Sequence, residues 1–197
     1  MELMVTRLRY GNTNTFLIRG TFGNLLVDTD YAGTLQAFYK ALKSEGLKVK
    51  DITYVIATHY HPDHCGIIGD LTEQGIKLVI LDTQVQSVHF SDAIFDREPR
   101  LEYKKIDECK AEILHFGDSR GFLRELGIDG EIIPTPSHSA DSVSVILDDG
   151  TCIVGDLEPY EYLDAYEDNP TLKGDWDNIL KRDPKRFLYA HANEKEL

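Results

Sequence analysis

The run Thr58-His59-Tyr60-His61-Pro62-Asp63-His64 constrains this chain more than any other stretch. It sets four side chains able to bind a metal within six residues, immediately after the apolar segment 52–57. His59 and His61 lie two apart, so an extended or tightly looped backbone turns both imidazoles the same way. Asp63 and His64 follow at once and can face a second point close by. A zinc-like ion takes three or four N or O ligands at about 2.0–2.2 Å. Four candidates in one loop, with further His and Asp downstream, imply two ions sharing a bridging water, which makes a nucleophile at neutral pH. Such a loop needs partners delivered from elsewhere in the chain.

Those partners stand at the ends of other apolar segments. Ile132-Ile133-Pro134-Thr135-Pro136-Ser137-His138 places His138 in a loop just after a strand. Ile153-Val154-Gly155-Asp156 does the same for Asp156, and Leu188-Tyr189-Ala190-His191 for His191. Five of the seven histidines thus sit at strand ends beside small or turn-forming residues. The other two, His89 between Val88 and Phe90 and His115 between Leu114 and Phe116, have large apolar neighbours and read as partly buried structural residues.

Between these points, strands alternate with helices. Residues 4–10 and 15–19 read as paired strands joined by the turn-rich Gly11-Asn12-Thr13-Asn14, and 25–27 as a buried strand ending at Asp28. Leu35, Phe38, Tyr39 and Leu42 recur at helical spacing over 34–45, stopped by Gly46. Strands follow at 52–57, 77–81, 131–135, 143–147, 151–154 and 187–190, the turn Asp148-Asp149-Gly150 marking a hairpin. Helices are expected over 65–74, 84–95, 119–126 and around 177–181, with no clear pattern in 90–110. Helices interleaved with strands argue for an α/β class, and no Gly-, Ser- or Pro-rich linker divides 1–197, which reads as one domain.

Charge narrows the partners. The formal net charge is −13, from 34 acidic against 21 basic residues. Such a surface repels phosphate backbones, so nucleic acid is disfavoured as a partner and a small-molecule substrate is expected. No apolar run approaches the ~20 residues of a membrane span, and Met1 to Arg7 lacks a basic-then-apolar leader. A cytoplasmic location follows as the expectation, with a homodimer the base-rate guess. Cys65, Cys109 and Cys152 show neither a CxxC spacing nor an even count, which fits reduced thiols. Cys65, beside His64, reads as a small buried filler.

Taken together, Leu26-Val27-Asp28-Thr29, the His59–His64 run, Thr135 to Ser142, Gly155-Asp156 and Ala190-His191 resemble the metallo-β-lactamase-fold hydrolases, as a single-domain member similar to hydroxyacylglutathione hydrolase-like proteins. The elements occur in that family's order across almost the whole chain. The resemblance implies a four-layer αβ/βα sandwich. It implies that His59, His61 and His138 hold one metal, that Asp63, His64 and His191 hold a second, and that Asp156 bridges them. Zinc is the leading candidate, with Fe or Mn able to use the same ligands. Asp63 would also aim the attacking hydroxide, and Asp28 would support the ligand loop through hydrogen bonds.

Two departures stand out: Ser137 where glycine is common, and Cys65-Gly66-Ile67 in place of a small-Gly-Gly sequence. The reaction expected is hydrolysis of a small ester, thioester or lactone. A phosphodiesterase is the rival, and a diiron oxygen-sensing module the alternative from another class. The pocket rim is expected from 83–118 and 157–176. Tyr160 is a candidate oxyanion donor, against an aromatic packing role for Tyr160, Tyr162 and Tyr166.

Overall fold

Successive residues of a strand point to opposite faces, and in this protein that alternation builds two sheets. The computed structural model describes residues 4–166 and 169–197. The first sheet contains β1 (Met4–Arg9), β2 (Asn14–Arg19), β3 (Asn24–Val27), β4 (Tyr54–Ile56), β5 (Lys77–Leu81) and β6 (Glu112–Leu114), in that spatial order. β1, β2 and β3 pair antiparallel, whereas β3 to β6 run parallel. Parallel neighbours need crossovers. The first two contain α1 (Leu35–Ser44), then α2 (Pro62–Cys65) with α3 (Ile68–Glu73). α4 (Asp92–Phe95) precedes β6, and α5 (Ser119–Glu125) leads to the second sheet.

That sheet holds β7 (Gly130–Pro134), β8 (Val143–Leu147), β9 (Thr151–Gly155), β10 (Arg186–Tyr189) and β11 (Lys195–Glu196), ordered β11-β10-β9-β8-β7. β9 and β10 are parallel and connect through α6 (Pro170–Leu180).

Three apolar layers separate four layers of backbone. Leu17, Leu26, Val55, Leu78 and Ile80 meet Phe38 and Leu42 of α1 and Ile68 and Leu71 of α3. Their alternates Phe16, Ile18, Leu25, Val27, Ile56 and Val79 pack against Val143, Val145, Ile153 and Leu188 of the second sheet. Beyond it, Ile146, Cys152, Val154 and Phe187 bury against Leu172, Trp176 and Ile179 of α6. Each such side chain contributes about 1.5–3 kcal/mol on full burial. The arrangement is the αβ/βα sandwich anticipated from the sequence. Among the described residues no helix is long and apolar enough to cross a membrane.

Several elements depart from expectation. The 65–74 helix is replaced by α2 and α3, the backbone leaving the helical region at Ile67 (φ −118°), while Gly66 lies against the 30–32 backbone, where a Cβ would come 2.5 Å from the Asp30 carbonyl oxygen. The 84–95 helix is reduced to turns and α4. Gln84 is fully buried, and its Nε2 donates to the carbonyls of Ala57 (2.9 Å) and Asp141 (3.1 Å). α6 starts earlier than expected, at Pro170, where Asn169 Oδ1 accepts from Leu172 N (3.0 Å). His89 and His115 are exposed rather than partly buried. His89 faces Asp92 (3.1 Å) and Glu108 (2.8 Å), and His115 faces Asp82 (2.7 Å). Carboxylate partners, not apolar neighbours in sequence, fix where these rings sit.

Candidate metal centre

The ligand loop leaves β4 and is shaped by Asp28, at the end of the adjacent β3. Asp28 adopts a left-handed conformation (φ 63°), one that Asp tolerates better than most residues. Its buried carboxylate accepts from Thr58 N (2.6 Å) and Thr58 Oγ1 (2.9 Å) and lies 3.1 Å from His64 Nδ1. One side chain thereby fixes both ends of the loop. Thr58 Oγ1 also lies 3.2 Å from His59 Nδ1. With Nδ1 engaged, each of these rings turns Nε2 inward. Pro62 starts α2 without needing a backbone donor, and the helix carries Asp63 and His64 on its single turn.

The other ligands arrive separately from the second sheet. The His138 loop closes through Ser139 N donating to Ser142 Oγ (3.2 Å). Asp141 ties that loop to the first one by accepting from Tyr60 N (2.8 Å), and Asp175 of α6 accepts from Ser137 N (2.8 Å). Asp156 follows Gly155 (φ 57°), where a Cβ would lie 2.6 Å from Thr58 Oγ1, so only glycine lets β9 end against the ligand loop. His191 follows β10, its Nδ1 3.2 Å from the Asn12 carbonyl. Asn14 N donates to Ala190 O (2.8 Å), and Asn14 Nδ2 donates to Tyr189 O (2.9 Å).

All seven sequence-nominated residues converge. At one point His61 Nδ1 stands 3.0 Å from His59 Nε2 and 3.2 Å from His138 Nε2, with Asp156 Oδ2 at 3.9 and 3.7 Å from those two Nε2 atoms. At a second point His191 Nε2 stands 3.1 Å from Asp63 Oδ2 and 3.3 Å from Asp156 Oδ1. His64 Nε2 is 3.3 Å from Asp156 Oδ1 and 3.9 Å from Asp63 Oδ2. Donors about 2.0–2.2 Å from a tetrahedral centre are separated by roughly 3.3–3.6 Å. The separations in both sets, 3.0–3.9 Å, bracket that spacing, and Asp156 offers one oxygen to each.

The donor chemistry suits cation binding. His64 Nε2 and Asp156 Oδ1 are buried without a hydrogen-bond partner, an expensive condition that a shared ion relieves. Burial works against charge on His64, yet the Asp28 and Asp156 carboxylates push its pKa up to about 10. The pocket thus attracts a positive charge to the point where an ion would sit. Burial, helped by the neighbouring His64 and His61, drives His59 far below the ordinary histidine range, leaving it a neutral donor. Asp63 is held low despite burial, chiefly by its hydrogen bond to His191.

Sequence reasoning missed the scaffold around these ligands: Asn12, Asn14, Gln84, Asp141 and Asp175. Asn12 and Asn14 read only as turn residues, and their tethers span 179 and 175 positions, which no local pattern marks. Cys65 is a buried filler as expected, its thiol pushed up to about 12 by burial.

A cleft of about 370 Å³ opens onto the centre, bordered by His138, Asp156, Leu157, Glu158, Tyr162 and His191. Tyr162 is exposed on this wall, contrary to the packing role expected of it. Tyr160 does take that role, its ring 5.4 Å from Trp176 and 6.2 Å from Phe187. The side chain of Tyr166 lies outside the described residues. From the 83–118 segment, Phe90 tilts over the His61 ring at 5.3 Å.

Comparison with known proteins agrees with this picture. A protein of Methanocaldococcus jannaschii named "Probable metallo-hydrolase" is 30% identical over 197 residues, 98% of this chain and 89% of its own. "Beta-lactamase-like protein 2 homolog" of Caenorhabditis elegans is 30% identical over 154 residues, 73% of this chain but only 45% of that longer protein. A metallo-beta-lactamase family protein of Thermus thermophilus superposes with a TM-score of 0.76 over 98% of this chain and 74% of its own, at 18% identity, which speaks to the fold alone. The family model described as the Metallo-beta-lactamase superfamily matches residues 8–191, and the chain belongs to that superfamily.

Proposed function

We propose that the protein is a binuclear metal-dependent hydrolase that cleaves a small ester, thioester or lactone. The observation that carries this reading is the pair of donor sets sharing Asp156, one oxygen facing each set. The relative named as a metallo-hydrolase, matched over nearly its whole length, supports a hydrolase in general.

His59, His61, His138 and Asp156 would hold one divalent ion, and Asp63, His64, His191 and Asp156 the other, zinc being the proposed metal. Bound there, such ions supply a Lewis acid and a water acidic enough to attack near neutral pH. The chain's own residues do the rest. Asp63 is half-exposed and kept ionised beside His191, so it can accept a hydrogen bond from the attacking water and orient it. Thr58, Asp28 and the Asn12 carbonyl hold the imidazoles in the tautomer that presents the inward nitrogen. Leu157 and Tyr162 give the substrate's acyl portion an apolar wall beside the centre.

The described lining of the cleft contains no Lys or Arg. That favours acyl substrates over the rival phosphodiesters, which need cationic groups around their charged oxygens. The test is metal analysis of the purified protein, followed by a screen of zinc-loaded protein against thioesters, lactones and phosphodiesters. Zinc near two per chain with acyl turnover is expected. Turnover of phosphodiesters alone would replace the reading with its rival, and redox-active iron without hydrolysis would overturn it.

A further inference from the structure

Glu158 stands two residues beyond the bridging Asp156 and lines the main cleft. It also lines a smaller cavity of about 200 Å³ that shares His138. Its backbone is pinned: the indole Nε1 of the fully buried Trp176 donates to the Glu158 carbonyl at 3.0 Å. The neighbouring Leu157 is buried, with its amide bonded to Val154 O (3.1 Å). The root of the side chain is therefore fixed while the carboxylate is exposed. Among the described residues no Lys or Arg pairs with it, and none lines either cavity.

Two divalent ions held by only two carboxylates leave a centre that attracts any anion. Charge discrimination must then come from the wall. Here the wall offers one unneutralised carboxylate together with the rings of Tyr162 and Tyr189, surfaces that suit neutral or cationic groups.

We propose that Glu158 is a specificity-determining residue that excludes anions, so the substrate carries a neutral or cationic group away from its reacting carbonyl. This deepens the hydrolase reading and rests on it. A carboxylate about 6 Å from a second negative charge at a water-exposed wall disfavours it roughly three- to tenfold, less at high salt.

The test uses zinc-loaded protein and three thiols that share a metal-seeking sulfur and differ at the far end: 1-propanethiol, cysteamine and 3-mercaptopropionate. Calorimetric titration at low salt reads binding without turnover. The expected result is that 3-mercaptopropionate binds about three- to tenfold more weakly than 1-propanethiol. Glu158→Gln is expected to shrink that gap to less than twofold while leaving 1-propanethiol unchanged, and Glu158→Lys to reverse it. Equal affinity of the three thiols for the unaltered protein, or a gap that persists in Glu158→Gln, would overturn the proposal. Failure to hydrolyse any ester, thioester or lactone would instead strike the hydrolase reading, and the thiol series stays legible in that case.

Discussion

The two sheets supply their halves of the centre in different ways. The first contributes His59, His61, Asp63 and His64 from one loop, with His59 and His64 fully buried. The second contributes His138, Asp156 and His191 from three separate strand ends, their side chains 30%, 15% and 39% exposed. On the first side a single buried carboxylate, Asp28, aligns the whole loop. On the second, each ligand has its own tether: Asp175 and Asp141 for the His138 loop, Gly155 for Asp156, Asn12 and Asn14 for His191. The first bank is built before a substrate arrives, and the second closes the site while facing the cleft. Damage to the first bank should therefore spread to both proposed metal positions, whereas damage to the second, the shared Asp156 apart, should stay local.

The largest effects are expected where the banks meet. Asp156→Ala removes a donor from both sets, and His59→Ala removes one of the two fully buried donors. Each should lose metal and activity together, by more than the roughly 10–100-fold typical of residues that only support a ligand. Elemental analysis alongside turnover checks this. Full activity in either variant would reject the ligand assignment.

Next comes Asp28→Asn. The amide can still accept from Thr58 N, but its NH2 opposes the remaining donors, Thr58 Oγ1 and His64 Nδ1. Metal affinity is expected to fall about 10–100-fold at both positions, read by competition with a chelator. The matching change in the second bank is Asn14→Ala, which strips partners from the Tyr189 and Ala192 carbonyls. It should cost about 1–3 kcal/mol of stability and weaken only the position that uses His191. If Asn14→Ala depletes both metals as severely as Asp28→Asn, the contrast between a shared brace and local tethers is wrong.

The same contrast explains what the sequence disclosed. A ligand loop compressed into six residues is conspicuous because few other structures require that spacing of His and Asp. His138, Asp156 and His191 became readable only as partners to it, each marked by an apolar run that ends in a small or turn-forming residue. The strand alternation was legible for a related reason: Phe16/Leu17 and Leu25/Leu26 must face different layers. Tethers that join residues far apart in sequence left no local trace, and Asn14 looked like any turn residue. β6 was missed because Glu112 and Ile113 are exposed at a sheet edge, so no burial pattern marks them. Val88 is buried while His89 next to it points outward, so the hydrophobic neighbours of a histidine misreport its own exposure.

His89 supplies the smallest expected effect and the control for all the others. It lies outside both donor sets and is held by Glu108 and Asp92, the hydrogen bond its ring donates to Glu108 being the main cause that raises its pKa above 6.5. A raised folded-state value means the ring binds its proton more tightly in the folded chain. The resulting stabilisation is fully present below pH 6.5 and disappears as pH rises through the folded value. Because the ring is 44% exposed, solvent screening keeps that contribution below about 1 kcal/mol. His89→Ala should therefore unfold slightly more easily than the unaltered protein at pH 6 and equally easily at pH 9, by chemical denaturation, while keeping its full metal content at pH 7.5. Loss of metal in this variant would mean that the α4 surface also braces the ligand loop, and the first bank would no longer be governed by Asp28 alone.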